Sequence, residues 1–271
     1  MELEHLSNEK KVNRIQKQDN VMKKRSLSEN IRFHTKNLFI FVLLVVFTQA
    51  PTFISILISL VGKTYQINKL VTIMVSLSAM LIIFGISYWF SKKIGVVSKE
   101  RFFVKKNIVL IVVGYISMQI SSNFFLLLES NQGGNPNLDF YKNIPGILLF
   151  FSASIITPIL EEVAFRGFLM GYWFKDTPRF GMLINIVLFT ALHVPKTIFS
   201  LFLFIGTSII FGTIYQKSKR LEVSGVVHML NNLPAAIQML LFLINTKAVV
   251  LITVQLEVEN EKNCCINGQS K

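Results

Sequence analysis

A chain of 271 residues that is 52% hydrophobic, with 24 phenylalanines and only 16% charged residues, lacks the polar surface a soluble domain of this size needs. The net charge of +13 does not point to nucleic acid, because the basic residues sit in the amino-terminal tail and between apolar runs, with no basic stripe interleaved with aromatics. Two adjacent cysteines, Cys264 and Cys265, supply neither a disulfide framework nor CxxC metal spacing.

Residues 1–36 hold nine Lys/Arg against five acidic residues and read as a polar cytoplasmic tail, with His5 and His34 as solvated side chains. The first apolar run begins too late and is too long for a secretory signal. It predicts a span over Leu38–Val61 that Pro51 kinks. Second and third spans follow over Leu70–Phe90 and Ile108–Leu128, and none of the three contains a charged residue. Between them lies the strongly basic stretch 91–106, and after them the turn-rich, weakly acidic stretch 129–139. The positive-inside rule places the amino terminus and the basic stretch in the cytoplasm and the turn-rich loop outside. Further spans are predicted over Pro145–Phe174, Phe180–Val194, Thr197–Tyr215 and Glu222–Leu243. The apolar stretch Ala248–Leu256 is short, and reads as a thin eighth helix or an interfacial segment. The expected architecture is an all-α, polytopic transmembrane bundle of about seven to eight spans. It divides into a tail (1–36), scaffold spans (37–143), a core (144–243) and a carboxy-terminal segment (244–271). The last four residues contain no cysteine, so no prenylation signal is expected there.

Three polar constellations interrupt the later spans. Glu161, Glu162 and Arg166 stand within one apolar run, where each charge costs on the order of 2.5–3.5 kcal/mol to insert. Glu162 and Arg166 are four apart and share a helix face, so they can pair, while Glu161 is rotated roughly 100° away and is free for chemistry. A carboxylate in an apolar, partly dry setting suits a general base. The second constellation is Phe189 and His193. Glu162 lies 13 residues before Lys175 and His193 lies 14 after Arg179. In an antiparallel hairpin both reach a depth of about 20 Å from that turn. Phe189, one turn from His193, packs beside it. The third is His228 and Asn232, which share a face by four-residue spacing and can donate hydrogen bonds to a carbonyl oxygen. Together these residues suit attack of water on an amide carbonyl. A zinc ion held by Glu161, His193 and His228 is the alternative, although no HExxH spacing is present. No serine or cysteine nucleophile motif stands out, and Ser154 and Ser224 read as helix contacts.

Glu-Glu-x-x-x-Arg at 161–166, Phe-x-x-x-His at 189–193 and His-x-x-x-Asn at 228–232 resemble the motifs of the CPBP (Abi) family. That family groups type II CAAX prenyl endopeptidases with bacteriocin-processing and self-immunity proteins. The resemblance covers roughly residues 144–243. It implies an intramembrane endopeptidase whose site is reached from the cytoplasmic side. Glu161 would activate water with help from His193, and His228 and Asn232 would stabilise the oxyanion. Glu162 and Arg166 would hold the first motif in shape. A glutamate-dependent mechanism without metal is the expectation, with zinc as the open alternative. The implied setting is a bacterial plasma membrane, with membrane lipid and a peptide or membrane-protein substrate as partners and no nucleic acid. A bacteriocin or pheromone precursor is the expected kind of substrate, and self-immunity the neighbouring role.

Two other classes share these features. A non-catalytic immunity or regulatory protein could use the same residues as struts while binding a peptide or sensor one for one. A transporter could use the carboxylates as an ion relay, although no half-to-half repeat accompanies them.

Overall fold

A computed structural model describes residues 27–99, 101–129 and 144–242. The tail up to residue 26, nearly all of the turn-rich loop, the stretch Ala248–Leu256 and both cysteines lie outside the described residues. By its internal contacts the chain divides at Val42 and Leu43. The described part of the first unit is the start of one helix, and the second unit holds all the other described elements.

Eight helices are described and no strand among them: α1 Leu27–Thr48, α2 Ala50–Thr64, α3 Lys69–Lys93, α4 Lys105–Glu129, α5 Gly146–Trp173, α6 Pro178–Leu192, α7 Ile198–Ser218 and α8 Leu221–Phe242. Six are long and apolar enough to cross a membrane, while α2 and α6, of 15 residues each, are shorter. This is the all-α polytopic arrangement that the apolar runs predict, except that the fifth expected span, over 180–194, is the short α6 and the first is redistributed. The first span, expected over 38–61, is two helices. Pro51 stands in the first turn of α2, where a missing N–H costs nothing, and the chain bends at Gln49 without leaving helical dihedrals (φ −85°, ψ −13°).

Local chemistry sets the other boundaries. Asn68 caps α3, its side-chain oxygen accepting from the Leu70 N–H at 2.8 Å. Thr197 and Ser200 form a reciprocal capping box at the start of α7. α6 begins on Pro178, and α7 ends on Lys219 in the left-handed conformation (φ 57°).

α5 is the helix the bundle surrounds. Of its most apolar stretch 56% is buried, against 11% for α4, and nine consecutive residues from Glu162 to Met170 are buried. A helix covered on every side belongs to the middle of a bundle. It is also irregular. Pro158 cannot donate a helical hydrogen bond, and the turns just before it, Ser152–Ile156, widen to i→i+5 spacing. The same spacing recurs over Glu162–Trp173 and closes with the Phe174 N–H on the Leu169 carbonyl at 3.0 Å. Such wide turns concentrate at functional sites.

α5 packs against α6 and α3, α7 packs against α4 and α6, and α2 pairs with α3. Gly114 stands at the α4–α7 contact, where a Cβ would lie 2.5 Å from Ile214 Cδ1. α5 and α7 approach at Gly171, where a Cβ would collide with the Tyr215 hydroxyl. α8 lies on α5 through Leu221, which joins Val163 and Met170 in one apolar cluster.

Candidate active site

The irregular half of α5 and the first turns of α8 enclose a polar cluster within the apolar bundle. Glu162 is its centre. One carboxylate oxygen, Oε2, accepts from the Ser224 hydroxyl at 2.6 Å. The other, Oε1, lies 3.1 Å from His228 Nδ1 and 3.3 Å from Arg166 Nη1. The residues are sealed from solvent, Arg166 at 0% and Glu162 at 2% exposure. Since a carboxylate at this position accepts, His228 carries its proton on Nδ1 toward Glu162. Its other nitrogen, Nε2, faces Glu161 Oε2 at 3.6 Å. Glu161 is the more open of the two carboxylates, with 13% of its side chain exposed.

Arg166 reaches this centre inside an aromatic cage. Its guanidinium carbon lies 4.7 Å from the Phe189 ring centre, 5.3 Å from Phe211 and 5.9 Å from Phe165. Desolvated cation–π contacts of this kind contribute about 2 kcal/mol. The contact with Glu162 is an ion pair outside hydrogen-bond alignment, and the guanidinium nitrogens make no hydrogen bond among the described residues. Phe211, on α7, also stacks on the His228 ring at 4.4 Å.

Phe189 packs against His193 at 4.3 Å and meets His228 edge-on at 6.4 Å, so it touches both imidazoles. His193 is the capping residue that follows α6, just outside the span expected to contain it. Its Nδ1 bonds the Phe189 carbonyl at 2.8 Å, so Nδ1 is the donor and Nε2 is the free acceptor. The next residue, Val194, is held at φ 46°, a conformation a β-branched side chain rarely adopts, so the chain leaves the helix under strain. The depth match between Glu162 and His193 brings their helices together, with Phe189 lying against Arg166. Among the described contacts, His193 makes none with either glutamate.

Asn232, the partner of His228 in the third motif, donates from Nδ2 to the Ala153 carbonyl at 3.2 Å. That carbonyl belongs to the widened turns before Pro158, so Asn232 ties α8 to the kink in α5. Ser224 is the residue that motif reasoning passed over as an ordinary helix contact. The available signal was its spacing: Ser224, His228 and Asn232 recur every four residues along one face of α8.

Among the described residues no group of three or more His, Cys, Asp and Glu side chains is arranged to hold a metal ion. Glu161 and His228 lie close together, but His193 does not complete a ligand set with them. As placed, these side chains do not meet as a zinc ligand set among the described residues.

Beside the cluster a cleft of about 230 Å³ opens between α3, α5 and α8. Its walls include Phe84, Tyr88, Ile159, Val163 and Met229, and Glu162 borders it.

Comparison with known proteins bears on the same part of the chain. A putative membrane peptidase of Bacillus subtilis (strain 168), YdiL, is 31% identical over 96 residues, which is 35% of this chain and 38% of that protein. The chain thus spans well under half the length of this curated relative. No solved structure matches the chain. Residues 143–234, which carry all three motifs and every member of the buried cluster, match the family model described as type II CAAX prenyl endopeptidase Rce1-like, the kind of family the motifs resemble.

Proposed function

We propose that this protein is an intramembrane endopeptidase that hydrolyses a peptide bond of a membrane-associated peptide or protein. The observation that carries the reading is the unequal placement of two adjacent carboxylates on a membrane-spanning helix. Glu162 is enclosed and committed to Ser224, His228 and Arg166, whereas Glu161 is partly open and faces His228 Nε2 at 3.6 Å. Burying a second carboxylate next to the first costs several kcal/mol, and a purely structural pair needs only one.

In the proposed reaction Glu161 takes a proton from water as its oxygen adds to the carbonyl carbon. The tetrahedral intermediate collapses with cleavage of the C–N bond, and the proton passes from Glu161 to the leaving nitrogen. His193 presents Nε2 as the second acid/base group. Asn232 flanks the site as the candidate donor to the oxyanion, while His228, with its proton on Nδ1 toward Glu162, turns an accepting Nε2 toward Glu161. The apolar cleft bordering Glu162 suits a hydrophobic substrate segment. A bacteriocin or pheromone precursor, or a membrane protein, meets that description, and self-immunity is the neighbouring role. The amino terminus is assigned to the cytoplasm of a bacterial cell.

The test is cleavage of a pool of internally quenched apolar peptides by purified protein in liposomes. Glu161→Gln, nearly isosteric but unable to act as a base, is expected to lower the rate by at least about a hundredfold at unchanged thermal stability. Treatment with a strong chelator is expected to leave the wild-type rate intact. Full activity in Glu161→Gln would overturn the reading. A rate abolished by chelation and restored by zinc would overturn the metal-free mechanism.

A further inference from the structure

Glutamate and arginine four residues apart on a buried helix ordinarily settle into a two-pronged pair, both carboxylate oxygens meeting the guanidinium fork. Here they do not. Arg166 touches Glu162 through a single 3.3 Å ionic contact, although its nitrogens have no hydrogen-bond partner among the described residues. Something holds the carboxylate away from the better ionic geometry. Among the described residues the one short bond on Oε2 is that from Ser224, at 2.6 Å, from a side chain that is itself 0% exposed. With Oε2 fixed, Oε1 is directed at His228 Nδ1.

We propose that Ser224 is a positioning residue for the imidazole of His228. Its hydroxyl holds one oxygen of Glu162 so that the other receives the Nδ1 proton, which fixes the tautomer and turns Nε2 toward Glu161. A charge-assisted O–H···O⁻ bond of this length is among the strong hydrogen bonds. It offsets what Glu162 forgoes by not engaging Arg166 fully. Without the hydroxyl, Oε2 is free to rotate onto the vacant guanidinium nitrogens. Oε1 then leaves Nδ1, and the ring loses the partner that distinguishes its two nitrogens. The spacing supports the assignment, since Ser224 and His228 are one helical turn apart on α8 and converge on the same carboxylate. Arg166 thereby acts as the competitor that Ser224 must overcome, and its aromatic cage supports it when the ionic contact is incomplete. The role in catalysis rests on the endopeptidase reading; the geometric claim does not.

The experiment uses full-length protein labelled with ¹⁵N at histidine, with His228 assigned by its absence in His228→Asn. In wild type the His228 nitrogens are expected to show one protonated Nδ1. In Ser224→Ala they are expected to shift toward a mixture of tautomers. In the liposome peptide assay, kcat of Ser224→Ala is expected to fall by about ten- to a hundredfold at unchanged KM. The pH profile moves with it, and Ser224→Thr, which keeps the hydroxyl, restores both. A merely structural hydroxyl would lower thermal stability and leave the His228 signals and the pH profile as they were. Unchanged His228 signals in Ser224→Ala overturn the proposal, and this arm decides it even if the Thr variant does not fold. If wild type cleaves none of the peptides, the endopeptidase reading fails while the nitrogen spectra still test Ser224.

Discussion

Arg166 neutralises a carboxylate that is almost fully buried, so removing one partner should cost far more than removing both. Arg166→Met leaves Glu162 charged and enclosed, and is expected to destabilise the protein by about 3–5 kcal/mol. The double variant Arg166→Met/Glu162→Gln is expected to recover much of that loss in thermal unfolding. Equal melting temperatures for the single and double variants would mean that the two charges are not coupled. At this scale the sequence was informative where chemistry follows helical spacing. The four-residue interval places Glu162 against Arg166, and the offset of Glu161 follows from the same geometry. It was silent on Ser224, because a serine inside a span is the commonest way to satisfy a helix carbonyl. Only the approach of a second helix shows that this hydroxyl bonds a carboxylate. His193 illustrates a different limit. Depth in a hairpin can be counted from a turn, but the face a side chain presents depends on where its helix stops, and α6 stops one residue before it.

Among the elements, α5 departs most from a plain helix. Its ends were legible within a residue or two, from the length of the apolar run and the flanking Pro145 and Lys175. Its widened turns were not. A helix buried on every side has no polar stripe whose drift would reveal a change from i→i+4 to i→i+5 spacing. The irregularity is accommodated by close packing. Gly171 stands where the Tyr215 hydroxyl of α7 meets the backbone of α5. Gly171→Ala is expected to cost about 1–3 kcal/mol by forcing that ring outward. Tyr215→Phe in the same background removes the oxygen and is expected to recover most of the loss. A Gly171→Ala protein that melts with wild type would show that α5 and α7 have slack at this crossing.

For the molecule as a whole, hydropathy and the distribution of Lys and Arg supplied both the all-α architecture and an expected orientation. The strongest sign of membrane immersion is the exposed apolar surface of the long helices, such as Leu81 and Ile82 on α3 and Ile120 on α4. Such surface on a protein in water would be an aggregation liability. Orientation can be read with single cysteines in a Cys264→Ser/Cys265→Ser background. Gly95→Cys, after α3, is expected to react with an impermeant maleimide only from the cytoplasmic side, and Gln66→Cys, before it, only from the opposite side. The reverse pattern would invert the assignment. The short helix α6 carries a last consequence. Fifteen residues rise about 22 Å, against about 30 Å of hydrocarbon, so α6 alone cannot reach across. If α6 begins at the interface, the link after it, with Val194 held at φ 46°, falls within the depth that acyl chains would otherwise occupy. Lipid beside α6 would then shorten or tilt away, and water would follow the retreating tails toward the imidazole. Acyl-chain length in the surrounding bilayer would thereby control how wet His193 is.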